Sequence, residues 1–223
     1  MLASIQKRTS ASAGLSFNST VVRTNTLVFQ GRYVTSDWVG NLHYLPVMQD
    51  GSVGAELVET AKELKKLTPT TRTIITYDSD LGTAVPFRWA SLGATWKTAL
   101  GDSYVLDFLR GDHSCETKSV VTCGAAKSYR DRSWEMGDII NSAPAYVGES
   151  TAGYTFNNYA GFKTTNASRT PMVYVGANDG MLHGFDASIN LDGTRTPTTG
   201  KELLAYIPGV LRSKMIQPHP IGR

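Results

Sequence analysis

The chain has 223 residues, 41% of them hydrophobic and 18% charged, enough apolar content to bury a core in one domain or two small ones. Its 21 glycines and 9 prolines are scattered without a short period, which excludes collagen and coiled coil and argues for many turns. The net charge of +3 is mild and evenly spread, which excludes a basic nucleic-acid footprint, and no apolar run approaches the roughly 18 residues that span a membrane as a helix.

Residues 1–25 read as a linker or lead-in, and residues 26–223 as the folded part. The start, Met1 to Ile5 followed by Gln6, Lys7 and Arg8, lacks the apolar run of a secretory signal. Two readings stand: a cytosolic protein, or a piece of a longer exported chain whose signal lies upstream. Leu27–Val34 has the β-branched and aromatic content of a strand, and residues 41–45 after Gly40 form a second. A turn at Asp50-Gly51 precedes a possible third strand over 53–58 and a short helix or loop over 59–67. Residues 72–77 predict a strand closed by Asp78-Ser79-Asp80-Leu81-Gly82. Ser103–Leu109 is the best helical window, with Val105, Leu106, Phe108 and Leu109 on one side and Gly111 past its end. Residues 139–148 predict an apolar strand in which Pro144 argues for an edge or a bulge. The polar, aromatic stretch 153–169 predicts a surface loop. Met172–Gly176 is the next strand, residues 181–186 return from it, and Asp179-Gly180 predicts a two-residue hairpin turn with positive φ at both positions.

The two cysteines, Cys115 and Cys123, share one polar loop. Their spacing is not CxxC, and no Cys/His pair lies near enough to complete a zinc site. They predict a disulfide closing a small ring, worth about 2–3 kcal/mol in the chain-entropy account; the alternative is two unrelated thiols. An internal echo is also present. Tyr33-Val34, Gly40 and Leu42-His43-Tyr44 can be laid on Tyr174-Val175, Gly180 and Leu182-His183-Gly184-Phe185, with Gly40 and Gly180, and His43 and His183, each 140 residues apart. A blade of a propeller takes roughly 40–45 residues, so this offset could hold about three blades; the alternative is chance similarity between two hairpins.

The second copy continues as Val173-Tyr174-Val175-Gly176-Ala177-Asn178-Asp179-Gly180-Met181-Leu182-His183-Gly184-Phe185-Asp186-Ala187, then Gly200-Lys201-Glu202-Leu203-Leu204-Ala205-Tyr206-Ile207-Pro208. This pattern resembles the blades of quinoprotein-like propellers, and more closely the β-propeller domain of the PilC/PilY family of type IV pilus biogenesis factors and tip adhesins. Three further stretches resemble segments of that family in the right order: Asp37-Trp38-Val39-Gly40-Asn41-Leu42, Phe108-Leu109-Arg110-Gly111-Asp112, and residues 130–148 around Met136-Gly137-Asp138-Ile139. Met136 stands where the family pattern has Leu, and Leu204 where quinoprotein blades often carry Trp.

The resemblance implies an all-β, quinoprotein-like propeller, incomplete in this chain, with one or two short helices. It implies an exported protein of the bacterial surface, outer membrane or pilus tip, with its leader upstream, that assists pilus assembly and adheres through its loops rather than acting as an enzyme. The partners it implies are pilins or minor pilins and a host-cell surface receptor. Calcium is expected elsewhere in the parent chain. Here Asp78-Ser79-Asp80 and Asn190-Leu191-Asp192-Gly193 each supply two ligands of an alternating calcium loop and lack the third, so no cofactor is expected in this segment. Arg110, Gly111 and Asp112 form an integrin-type tripeptide, a candidate adhesion motif whose alternative is a helix C-cap. Asn178, Asp179 and Gly180 form the blade-signature turn. His43 and His183 are expected to be structural, and His113 and His219 carry no pattern. The rivals from other classes are a quinoprotein-type dehydrogenase and a purely structural blade set.

Overall fold

The computed structural model describes residues 9–10, 14–19, 23–119, 123, 129–150 and 152–215. In chain order the strands are β1 (Thr9–Ser10), β2 (Leu15–Phe17), β3 (Leu27–Val34), β4 (Val39–Pro46), β5 (Val58–Glu59), β6 (Ile74–Asp78), β7 (Thr83–Pro86), β8 (Ala145–Val147), β9 (Met172–Gly176), β10 (Leu182–Asp186) and β11 (Glu202–Ile207). Four short α-helices join them: α1 (Thr60–Leu64), α2 (Ala94–Leu100), α3 (Ser103–Leu109) and α4 (Tyr159–Asn166). The expected one or two helices thus become four among the described residues.

Two sheets form. The first runs β1-β3-β4-β5, with β2 also paired to β3. The stretch read as a linker therefore contributes two short strands to the edge of β3, because β3 offers eight residues of ladder and one neighbour cannot cover both its sides. The second sheet has the order β7-β6-β11-β10-β9-β8. Within it, β8 to β11 are consecutive antiparallel strands, the meander from which a propeller blade is built. The hairpin β6–β7 adds to this blade through a parallel pairing of β6 with β11.

One face of the second sheet is covered along its whole width. At the β6–β11 end, Ile74, Val85, Ala205 and Ile207 pack with Phe87 and with Trp96 and Leu100 of α2 and Val105 and Leu106 of α3. At the β9–β10 end, Val173, Val175 and Phe185 pack against Leu27, Phe29, Leu42 and Tyr44 of the first sheet. The Phe29 and Tyr44 rings meet edge to face at 4.8 Å. Helix starts are fixed by side-chain oxygens, one local and one distant in sequence. Asp102 accepts from Val105 N at 3.1 Å to start α3, and Asn41 Oδ1 accepts from Ala61 N at 3.0 Å to start α1.

Two expected strands are shorter than read. Of the 53–58 segment only Val58 lies in a strand, β5, while Val53 makes a lone bridge to Val47. Of residues 139–148 only Ala145–Val147 is strand. Pro144 has no N–H to give, and just before it Gly176 N is taken by the Ser142 hydroxyl at 3.0 Å instead of by backbone. Residues 153–169 are not all loop, since α4 lies inside them.

Candidate functional site

Three of the four segments that carry the family-like pattern meet at one place. Gly40 N donates to Met136 O at 3.0 Å, and a Cβ on Gly40 would lie 2.2 Å from Gly137 O. On the other side of Gly137, a Cβ would lie 2.3 Å from Asp179 N. Gly137 is therefore clamped between the start of β4 and the β9–β10 turn, and both glycines are required by close backbone approach. Asn178 N donates to Asp138 O at 3.0 Å, the Asn178 amide donates to Asp138 Oδ2 at 2.6 Å, and Gly137 N donates to Asp179 Oδ2 at 2.9 Å.

The signature turn differs from the expected two-residue form. Ala177 N donates to Met181 O at 3.0 Å and Gly180 N to Ala177 O at 3.1 Å, so Asn178, Asp179 and Gly180 make a three-residue loop. Only Gly180 has positive φ, at 84°. Asp179 keeps an ordinary backbone because its carboxylate is needed inward. The echo likewise holds for the hairpins and not residue by residue. Gly40 lies in β4 opposite Tyr33, whereas Gly180 lies in a turn, and His43 pairs with Gln30 where His183 pairs with Val175.

From Asp179 a line of buried charges runs into the blade. His183 donates from Nε2 to Asp179 Oδ2 at 2.9 Å and from Nδ1 to Glu202 Oε1 at 2.8 Å. Glu202 in turn accepts from Arg72 Nε at 2.7 Å and Nη2 at 2.8 Å, a bidentate pair. Burial pushes His183 down, but Asp179 and Glu202 outweigh it and bring its pKa up to about 9. Burial pushes Glu202 up, but Arg72 and His183 hold it at about 2. Asp179 is lowered against its own burial by His183 and by the Gly137 and Met181 amides. Two cations and two anions alternate, so the line is neutral. This matches the structural role expected for His183. His43 is buried beside Glu56, and burial lowers its pKa. Sequence reading missed Arg72, Glu202 and Asp138. The signal available was a charge set against an apolar run, Arg72 before Ile74-Ile75 and Glu202 before Leu203-Leu204.

The tripeptide takes the capping alternative. Gly111 N donates to Phe108 O and Asp112 N to Asp107 O, both at 2.9 Å, with Gly111 at φ 104°, the Schellman ending of a helix. The Arg110 guanidinium turns inward to the carbonyls of Phe87, Pro69 and Arg72 at 2.8, 2.5 and 2.9 Å. Arg110 is 3% exposed, so the tripeptide displays no guanidinium for a receptor; this corrects its reading as an adhesion motif. Cys115 and Cys123 form a disulfide with Cα atoms 5.5 Å apart, buried in the core beside Tyr129. The next residues are tied down too. His113 bridges Glu116 at 2.8 Å and Glu135 at 3.2 Å, and Arg132 lies 3.7 Å over the Phe108 ring.

Among the described residues no three His, Cys, Asp or Glu side chains gather as a metal site. Asp78 and Asp80 instead serve the start of α2: Asp78 Oδ2 accepts from Gly93 N and Asp80 Oδ2 from Thr95 N, both at 2.6 Å. Asp192 Oδ1 accepts from its neighbour Thr194 N at 2.9 Å. His219 lies outside the described residues, as do residues 120–122 of the segment closed by the disulfide. The β8–β9 excursion carries an exposed aromatic cluster. Tyr154 is 5.3 Å from Phe156 and 5.2 Å from Tyr159, and Tyr159 is 5.7 Å from Phe162. Phe156 is 61% exposed and Tyr154 59%.

Comparison with known proteins decides the family. The family model described as the PilY1 beta-propeller domain matches residues 136–220, which take in Gly137, the signature turn and the β9–β11 strands. A type IV pilus biogenesis factor PilY1 homolog of Xylella fastidiosa is 33% identical over 93% of this chain. The type IV pilus biogenesis factor PilY1 of Pseudomonas aeruginosa strain PAK is 30% identical over 93% of it. The chain belongs to the PilC/PilY family. Its open sheets are those of an incomplete propeller, and the buried junction of Gly40, Gly137 and Asp179 is what the family-like segments build. The chain spans 16% of the length of the Xylella relative and 18% of the Pseudomonas one. No solved structure matches it. No helix among the described residues is long and apolar enough to cross a membrane.

Proposed function

We propose that this chain is part of a type IV pilus biogenesis factor that works at the bacterial surface or pilus tip by binding, both to pilus subunits and to the surface the pilus contacts. The observation that carries the binding reading is the division of labour in the blade. Its charges are spent inside, on a neutral locked network, while the β8–β9 excursion presents Tyr154, Phe156 and Phe162 to solvent. Large exposed aromatics on a rigid scaffold are the side chains that dominate protein interfaces. The disulfide fits an exported protein. The tripeptide at 110–112 supplies no part of this reading, and calcium, if the parent protein uses it, would be held by other residues.

The test is a strain carrying Tyr154→Ser, Phe156→Ser and Phe162→Ser together. Pilus number and attachment per pilus are counted separately. Attachment per pilus falling at normal pilus number supports an adhesive excursion. Loss of pili with unchanged attachment per remaining pilus assigns the cluster to assembly and removes the adhesin half of the proposal. No change in either removes the excursion as the binding surface.

A further inference from the structure

Among the described residues, three other than glycine have positive φ: Trp38 at 51°, Asn157 at 50° and Asn158 at 55°. Asparagine enters this region readily, because its short amide bonds to nearby backbone; a bulky side chain there is an outlier. Trp38 is the last residue of the loop 35–38 between β3 and β4, a place where hairpins commonly carry glycine. Its indole gains no burial in return, since Trp38 is 54% exposed. A local rule broken with no packing gain points to function.

The strained conformation is held from outside the hairpin. Arg130 Nη1 donates to Asp37 O, and Arg130 Nη2 donates to Trp38 O at 3.3 Å. The Ser133 hydroxyl donates to Asp37 Oδ2 at 2.5 Å. Next to Arg130, Asp131 is anchored in turn, accepting from Thr117 Oγ1 at 2.6 Å and from Lys118 N at 2.9 Å. The indole is thus fixed beside a rim of charged and hydroxyl groups. The cations that act on Asp37 are Arg130 and Lys118, and Lys118 Nζ lies 3.6 Å from Asp131. Two cations and two anions leave the rim neutral, and Ser36, Thr117 and Ser133 stand exposed around it.

We propose that Trp38 and this rim form a platform for a neutral sugar, one hexose unit of a glycan stacked on the indole with its hydroxyls bonded to the rim. The chemistry of the platform selects that ligand. The indole face is electron-rich, and the C–H face of a pyranose ring presents the weakly positive hydrogens that stack on it. Sugar hydroxyls both donate and accept; the rim offers the Asp37 and Asp131 carboxylates as acceptors and the Lys118 and Arg130 groups as donors. Its balanced charge gives a charged ligand no advantage. A protein partner is anchored differently, by a tryptophan in an interface centre from which charges are depleted. A lipid surface is held by aromatic residues together with an excess of cations. Neither describes this rim. The platform lies on a different element from the 153–169 excursion and needs nothing from it.

The test passes the complete gene product over immobilised neutral oligosaccharides ending in glucose, galactose or mannose, beside sialylated and sulfated ones. The wild type should retain at least one neutral glycan, and Trp38→Gly and Trp38→Ala should each weaken that binding by about tenfold or more. Trp38→Gly should melt no lower than the wild type, because glycine takes positive φ freely and the exposed indole packs on little. In the unsubstituted protein, the retained oligosaccharide added in solution should reduce the share of tryptophan emission that acrylamide quenches, a readout that needs no mutation. A wild type that retains no neutral glycan overturns the proposal, and so does equal binding by Trp38→Gly. Retention of sialylated or sulfated glycans alone overturns it too. A Trp38→Gly protein that melts well below the wild type assigns the indole to packing against other parts of the polypeptide and removes the platform.

Discussion

Replacing His183 by Gln tests the buried charge line most directly. His183 is wholly buried between two carboxylates, and its pKa of about 9 stands against an ordinary 6.5. Each unit corresponds to about 1.4 kcal/mol, so the proton is worth about 3 kcal/mol to the folded state. Because the folded pKa is the higher one, that contribution is fully present below pH 6.5 and fades as pH rises through about 9. The variant loses the cation and leaves Asp179 and Glu202 facing each other with only Arg72 to offset them. At pH 6 it should therefore be less stable by about 3–5 kcal/mol. For a chain of this size that is roughly 6–20 °C in melting temperature. At pH 9.5 the wild type has lost the same proton, and the two proteins should converge. Urea denaturation of both from pH 5.5 to 9.5 measures the difference. A stability gap that stays constant across that range would refute the assignment of His183 as a buried cation.

On the acid side, Glu202 is held at about 2 and Asp179 is lowered, so wild-type stability should drop as pH falls from about 4.5 toward 2, and Glu202→Gln should flatten that limb. Gly137→Ala should destabilise the chain by about 1–3 kcal/mol or more, since its methyl would meet the Asp179 backbone at 2.3 Å; a variant with unchanged melting temperature would contradict the clamp. Mass spectrometry without reductant should find no free thiol, and the double change Cys115→Ser, Cys123→Ser should lower stability by about 2–3 kcal/mol in chemical denaturation. Arg110→Ala should lose about 2–3 kcal/mol from three orphaned carbonyls while an Arg-Gly-Asp peptide fails to compete with attachment; a stable Arg110→Ala protein with weakened attachment would restore the tripeptide as a recognition motif.

Local signals were legible where one face of an element is apolar and its ends are marked. β3 and α3 have the bounds that patterning gives them, because Leu27–Val34 is almost unbroken in strand formers and α3 ends on a glycine in a Schellman turn. Helix α2 was not legible. Its start depends on Asp78 and Asp80, some fifteen residues earlier in the chain, and no local N-cap side chain announces it. The same pair read as an incomplete calcium loop, since carboxylates spaced two apart look alike whether they meet a cation or a helix end.

The sequence by itself determined that this is a turn-rich β protein, gave its family through the Gly40, Gly137 and 173–187 segments, and pointed to a pairing of the two cysteines. These follow from local conformational preference and from residue spacing. The tertiary structure alone decided which glycines are clamps, that Asp179 from the β9–β10 turn and Glu202 from β11 close on His183, and that Arg110 points inward. These depend on residues from 4 positions apart (Asp179 and His183) to 97 apart (Gly40 and Gly137) reaching the same few ångströms, and electrostatics and close packing act on distance in space, which the order of residues does not record.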